Sequence, residues 1–418
     1  MKYLQIVSIF PALTETFVLR DARKMRQIGC DVFIGQLRPT GRRPTSSEFE
    51  DLRPFVVPAN LLSLSGAAAI LLFTFRKPKH IWECLRLVLG CFPDVINMLK
   101  LLYILLASMA LAHRLRKSGI SHVRGHHLHS EAVASMFVAR LLDLPYSFKC
   151  YTAKIYYPRH IVVEVIREAA FIIADTLQVR EFLNDLGGDP RRMHIVRNAV
   201  DLRDFPVRKQ ESLSNPPIIL AVGRLDYKKG FHLLLSACAI LRDEGLPFRC
   251  AIIGDGDEWS RLLVQRRELG LEEQIEMLGS LGFSDVQRWY EQAALLAMPS
   301  VVAPDGSTDG LPTVVIEAFT RGVPVVGSST AGIPEVIQHG VNGFVVPAGS
   351  PNELASRMKE LLLNEALCRK FAAEARRTAE RDFDLDRNLR IVARLMFGQI
   401  MEQPSIAKSI VLDHALRI

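Results

Sequence analysis

IILAVGRLDYKKGFHLLLSACAILRDEGLPFRCAIIG, residues 218–254, holds the alternation from which the fold can be read. The apolar run 218–223 predicts a buried strand, 231–243 carries apolar residues at helical spacing, and 248–254 is a second strand-like run. A strand, a helix and a strand in that order make a βαβ unit, whose two strands lie parallel. The start of the chain repeats the order. Residues 3–9 (YLQIVSI) predict a strand, a Thr/Glu-containing loop follows, then a helix over 17–28 and a strand over 30–35. Two separate βαβ openings predict an α/β protein of two doubly wound domains, each around a parallel sheet.

A chain of 418 residues is long for one core and suits two. RKQESLSNPP, residues 208–217, is polar and proline-containing and reads as the linker. The expected division is 1–206, 207–383, and a final segment 384–418. That segment opens on an amphipathic helix and ends in a loosely ordered tail after Pro404. Repeats and low-complexity tracts are absent.

Hydrophobic content of 49% with 23% charged residues is globular. Cysteines 30, 84, 91, 150, 238, 250 and 368 form no C-x-x-C and no zinc-like spacing, so free, mostly buried thiols in a reducing, cytoplasmic compartment are expected. The N-terminal stretch MKYLQIVSIFPALTETF does not read as a signal peptide. The net charge of +7 is uneven: residues 1–206 carry 28 Lys and Arg against 18 Asp and Glu, the remainder 24 against 27. A basic first half fits an acidic partner such as anionic lipid head groups. A nucleic-acid partner is disfavoured, because the basic residues are diffuse and not interleaved with aromatics. Residues 61–75, running into RKPKH, and 96–112 are almost wholly apolar, yet short of the ~20 residues that span a bilayer. They read equally as core helices or as membrane-surface helices with a basic flank.

Within 218–254, Gly223 lets the chain turn closely after the strand, and Arg224 and Lys229 stand in the loop before the helix. A helix N-terminus offers unpaired N–H groups, and two cations beside it suit a diphosphate. The second chemical segment is residues 300–343, SVVAPDGSTDGLPTVVIEAFTRGVPVVGSSTAGIPEVIQHGVNG. Here Gly310, Leu311 and Pro312 are expected to open a helix reaching about Arg321, with Thr313 in its first turn and Asp309 as its N-cap. Glu317 lies about two turns on, among Ile316, Ala318 and Phe319, where a carboxylate needs a partner such as ribose hydroxyls.

Asp309 and Glu317, with G-L-P after the first acid, E-A, G-V-P-V-V, G-I-P-E-V and N-G-F downstream, resemble the signature of family-4 retaining glycosyltransferases of the GT-B fold. The R-x-x-x-x-K-G of residues 224–230 is similar to that family's diphosphate site. GDGDEWSRL from Gly254 and LGSLGFSDV from Leu278 resemble its nucleotide-side loops, and NAVDLRDF, 198–205, its domain junction. In the first half, residues 10–32 and 144–157 resemble the colanic-acid and exopolysaccharide branch.

The resemblance implies two Rossmann-like domains facing a cleft, with the last helix crossing back to the first domain. It implies a UDP- or GDP-sugar donor and no cofactor or metal. The acceptor would be a saccharide, lipid-linked in this branch, at the inner membrane face. Catalytic roles fall to Arg224, Lys229, Asp309 and Glu317. Substrate-binding roles fall to Gly223, Gly254, Leu278, Gly310, Leu311, Pro312, Thr313, His126 and Tyr151. Departures bear on turnover. Asp309 replaces the family's Glu and is shorter by about 1.5 Å. Tyr151 stands at the family's active-site His and Lys154 at the branch's Asp, while His126 matches a second family His. The resemblance therefore also admits a glycosyltransferase-like partner without turnover in a polysaccharide assembly complex. A phosphorylase or a sugar-nucleotide epimerase on the same fold fits less well.

Overall fold

The computed structural model describes residues 1–10, 16–38, 47–61, 63–208 and 214–398. The expected loop at 11–15, half of the linker and the tail after Pro404 lie outside the described residues.

The first sheet has seven parallel strands: β1 (Lys2–Val7), β2 (Asp31–Gln36), β3 (Val56–Pro58), β4 (His122–His126), β5 (Tyr146–Cys150), β6 (Phe171–Ala174) and β7 (Met193–Ile195). Their order is β3-β2-β1-β4-β5-β6-β7. The second has six: β8 (Ile218–Val222), β9 (Arg249–Ile253), β10 (Ile275–Met277), β11 (Ala293–Met298), β12 (Val325–Ser328) and β13 (Gly343–Val346), ordered β10-β9-β8-β11-β12-β13. Both are doubly wound. The strand order reverses between β1 and β4 and again between β8 and β11, and ligands on such sheets sit at the C-terminal ends of the strands flanking the reversal.

The helices of the first half are α1 (Thr16–Gln27), α2 (Leu64–Arg76), α3 (Pro78–Leu89), α4 (Val95–Leu115), α5 (Ser130–Leu142), α6 (Arg159–Glu168) and α7 (Leu177–Asp185). Those of the second are α8 (Phe231–Asp243), α9 (Trp259–Glu268), α10 (Phe283–Gln292), α11 (Thr313–Thr320), α12 (Pro351–Leu363) and α13 (Glu365–Asp382), with α14 (Leu385–Phe397) last. The two βαβ openings fold at the expected places, to within two residues at each boundary.

Two expectations need correction. Residues 310–312 are not helical: α11 starts at Thr313, its N-cap position is Pro312, and Asp309 lies outside it. Proline at 312 has no N–H to give and disfavours helical backbone at Leu311 before it. The apolar run at 96–112 belongs to a longer helix, α4, whose 21 residues are enough by length and composition to cross a membrane. Its second half, from Leu101 on, is instead buried in the first domain's core, packed on α5.

The α14 helix crosses back to the first domain. Asp384 caps it, and Leu385, Leu389, Val392 and Ala393 pack among Tyr3, Val7, Leu19, Ala22 and Met25 of β1 and α1. Burying each of the three larger side chains contributes about 1.5–3 kcal/mol. Lys24 on α1 reaches Asp386 at 3.2 Å, and Asn388 donates to the Arg197 carbonyl. All seven cysteines are buried and unpaired.

Candidate active site

The reversal between β8 and β11 brings two loops together. After β8 run Gly223, Arg224, Lys228 and Lys229; after β11 runs the irregular stretch ending at Asp309 and Gly310. Lys229 Nζ lies 2.7 Å from Asp309 Oδ2 and Lys228 Nζ lies 3.5 Å from Oδ1, so one carboxylate is held between two ammonium groups. Ser300 Oγ donates to the same carboxylate. Arg224 turns to Asp226, 2.9 Å away, and keeps its side chain two-thirds exposed. Sequence reasoning singled out Lys229 and passed over its neighbour Lys228, although both stand in the quoted DYKKG.

Backbone closeness fixes the glycines. A Cβ on Gly254, whose φ is 141°, would lie 1.8 Å from the Gly223 carbonyl oxygen, so the ends of β8 and β9 meet only through glycine. Gly230, at φ 68°, occupies the N-cap position of α8 hard against the Pro299 carbonyl. Neither α8 nor α11 receives a side-chain cap; the third amide of each, Leu233 and Val315, donates to the Gly230 and Pro312 carbonyls, which leaves the two amides before it for an outside acceptor. Leu278 ties the adjacent strand end to β9 by donating to Ile252 O, and Leu311 packs beside Gly332.

Glu317 sits apart from the lysine pair. It is half-buried in α11, whose other central residues are buried, and it accepts a hydrogen bond from Tyr290 Oη at 3.3 Å. Burial pushes its carboxyl up to about 7, while Arg20 of α1, reaching from the opposite domain, pulls the other way. Neither Tyr290 nor Arg20 was foreseen; both act from elements distant in sequence.

The first domain closes over this region. A Cβ on Gly310 would lie 2.3 Å from the Tyr151 carbonyl oxygen, and one on Gly332 would lie 2.6 Å from Thr176 Cγ2. Glu335 accepts from the Leu177 and Gln178 amides at 2.7 and 3.1 Å, satisfying the N-terminus of α7 across the domain boundary. Lys154 approaches Asp305 at 3.8 Å.

His126 ends β4 and is fully buried. Its Nδ1 meets Tyr151 Oη at 2.8 Å; its Nε2 has no hydrogen-bond partner among the described residues. Burial, with Arg124, His127 and Lys149 nearby, holds His126 well below the usual histidine range, hence neutral. Beside the Tyr151 ring stands a buried Lys149–Asp175 pair at 3.1 Å.

The family described as "Glycosyl transferases group 1" matches residues 203–378. The chain is 32% identical over 199 residues to the amylovoran biosynthesis glycosyltransferase AmsK of Erwinia amylovora, covering 48% of this chain and 49% of that one. It is 31% identical over 215 residues to the putative colanic acid biosynthesis glycosyltransferase WcaL of Salmonella typhimurium, covering 51% and 53%. The matches thus span about half the length of these curated relatives. Over the whole fold, the Anabaena Alr3699/HepE structure in complex with UDP superposes with a TM-score of 0.72 at 17% identity, covering 95% of this chain and 100% of that one. The sucrose-phosphate synthase of Thermosynechococcus elongatus superposes at 0.71 with 15% identity, covering 94% and 98%.

Proposed function

We propose, from the match of residues 203–378 to glycosyl transferases group 1 and from the GT-B fold, that the chain transfers a sugar from a nucleoside-diphosphate donor to a saccharide acceptor in exopolysaccharide synthesis, with retention of anomeric configuration. The observation that carries the reading is the pair Lys228 and Lys229 on Asp309, with Arg224 in the same loop and two helix N-termini without side-chain caps beside it. Sugar transfer leaves charge on the β-phosphate. Cations and oriented N–H groups stabilise that charge by about 3–4 kcal/mol per well-placed donor.

Asp309 pairs with Lys228 and Lys229, and Asp226 with Arg224. A diphosphate would displace the two carboxylates, leaving Asp309 at the sugar while Lys228 and Lys229 turn to phosphate oxygens. Glu317 would accept hydrogen bonds from the ribose hydroxyls, as an acid does in dinucleotide sites. The reading assigns the diphosphate no metal. Solved neighbours are complexes with UDP and with UDP-glucose, which supports a uridine donor here. The relatives are named for amylovoran and colanic acid biosynthesis, which supports a saccharide acceptor; in this reading the acceptor is lipid-linked and met at the cytoplasmic membrane face, as the branch resemblance implies.

A second reading, a donor-binding partner without turnover, draws on Tyr151, whose hydroxyl meets His126 inside the domain. A thermal-shift screen across UDP-, GDP-, ADP- and dTDP-sugars tests the main reading. One nucleotide class is expected to stabilise the protein selectively, and release of that nucleotide on adding acceptor separates the two readings. Stabilisation by none of them would remove the donor assignment.

A further inference from the structure

We propose that the outer face of α2, α3 and the first turns of α4 docks this chain on a bilayer containing anionic phospholipid. The proposal deepens the acceptor side of the reading above and is independent of the donor site.

These three helices pack against one another and bury one side of each: Gly66, Ala69 and Phe73 of α2, Ile81, Cys84 and Val88 of α3, and α4 from Leu101 onward. Their other sides are apolar too. On α2, Leu64, Leu71 and Phe75 fall on one stripe; on α3, Trp82 and Leu89; at the entry to α4, Phe92, Ile96 and Leu99. Their exposure runs from 55% at Leu89 to 92% at Leu64, so nothing among the described residues covers them. Exposed apolar surface gathered on adjoining elements marks an interaction site.

Charge selects the occupant. Arg76, Lys79, Arg86 and Lys100 are exposed along the same helices, and the acids among them are Glu83 and Asp94, the latter spent in capping α4. Large apolar and aromatic side chains beside Lys and Arg match a leaflet of acyl chains under anionic head groups. The helices are also fixed in place. A Cβ on Gly66 would lie 2.5 Å from the Leu61 carbonyl oxygen, Lys77 pairs with Asp143, and His160 Nε2 meets the Leu87 carbonyl at 3.2 Å. The exposed half of α4 lies towards the C-terminal ends of the first sheet's strands, since α4 runs back to the start of β4. Docking there would bring the cleft to a membrane-held acceptor.

The test is flotation of the full chain with vesicles of phosphatidylcholine alone or mixed with phosphatidylglycerol. Binding is expected to the mixed vesicles only and to weaken with salt. Lys79→Gln with Arg86→Gln should weaken it roughly twenty-five-fold, at about fivefold per cation. Phe75→Ser with Phe92→Ser should weaken it at least about tenfold, and UDP affinity should not change in either variant. In the unmodified protein, lipids brominated on their acyl chains should quench Trp82 emission, and Trp82→Phe should remove that quenching. Failure of the unmodified chain to bind mixed vesicles overturns the proposal. So does a dimer, measured by light scattering, that the Phe75 and Phe92 substitutions dissolve, which would make this face a contact between copies.

Discussion

Glu317 is the residue where sequence and environment diverge most. A glutamate among Ile316, Ala318 and Phe319 reads as partly buried, and the structure adds the cause of its raised carboxyl pKa, about 7 against an ordinary 4.5. The native state therefore holds a proton that the unfolded chain releases between those values. Stability is fully present below about pH 4.5 and falls as pH rises through about 7, by at most on the order of 3 kcal/mol. Glu317→Gln should abolish that fall and raise the unliganded melting temperature at pH 8 by a few degrees, while weakening UDP binding; pH-dependent thermal melts check it. If ribose takes the carboxylate, UDP binding near pH 7 should release about half a proton, read from calorimetry in buffers of different ionisation enthalpy. Asp309 behaves differently, since it competes with the phosphates for Lys228 and Lys229. Asp309→Asn is expected to bind UDP as tightly as the unmodified chain or tighter, yet to lose roughly 100-fold or more in kcat; weaker UDP binding would remove the displacement step. Tyr151→Phe should keep transfer within about tenfold, because it keeps the ring and loses the hydroxyl that meets His126.

At the scale of elements, the βαβ openings were legible because buried parallel strands are apolar throughout and their crossover helices carry a 3.6-residue period. The loop from Ala303 to Pro312 was not. Asp309 carries a helix-capping side chain in a turn-rich stretch, and its commitment to two lysines depends on how far β8 and β11 bring their loops. Tyr290 and Arg20 were invisible for the same reason: their partner Glu317 is close only after α10 and α1 have packed. The G-I-P-E-V segment was legible as a motif, but its use of Glu335 to satisfy the N-terminus of α7 was not. Glu335→Ala leaves those amides unpaired and should widen the spread of domain orientations. A radius of gyration that increases in solution scattering, with UDP affinity kept, is the expected result.

The whole molecule is two doubly wound sheets held as one unit by α14, whose apolar face lies on the first domain while its chain leaves the second. That arrangement sets the switch-point loops of the second sheet against the loops that follow β5 and β6, and Gly310 against Tyr151 marks how near they come. The central claim is that Arg224, Lys228 and Lys229 hold a nucleoside diphosphate there. Titration calorimetry of UDP into the unmodified chain and into Arg224→Ala with Lys229→Ala tests it most directly. Binding by the unmodified chain and a loss of at least about 100-fold in the double variant are predicted; equal affinity in the two proteins would contradict the account.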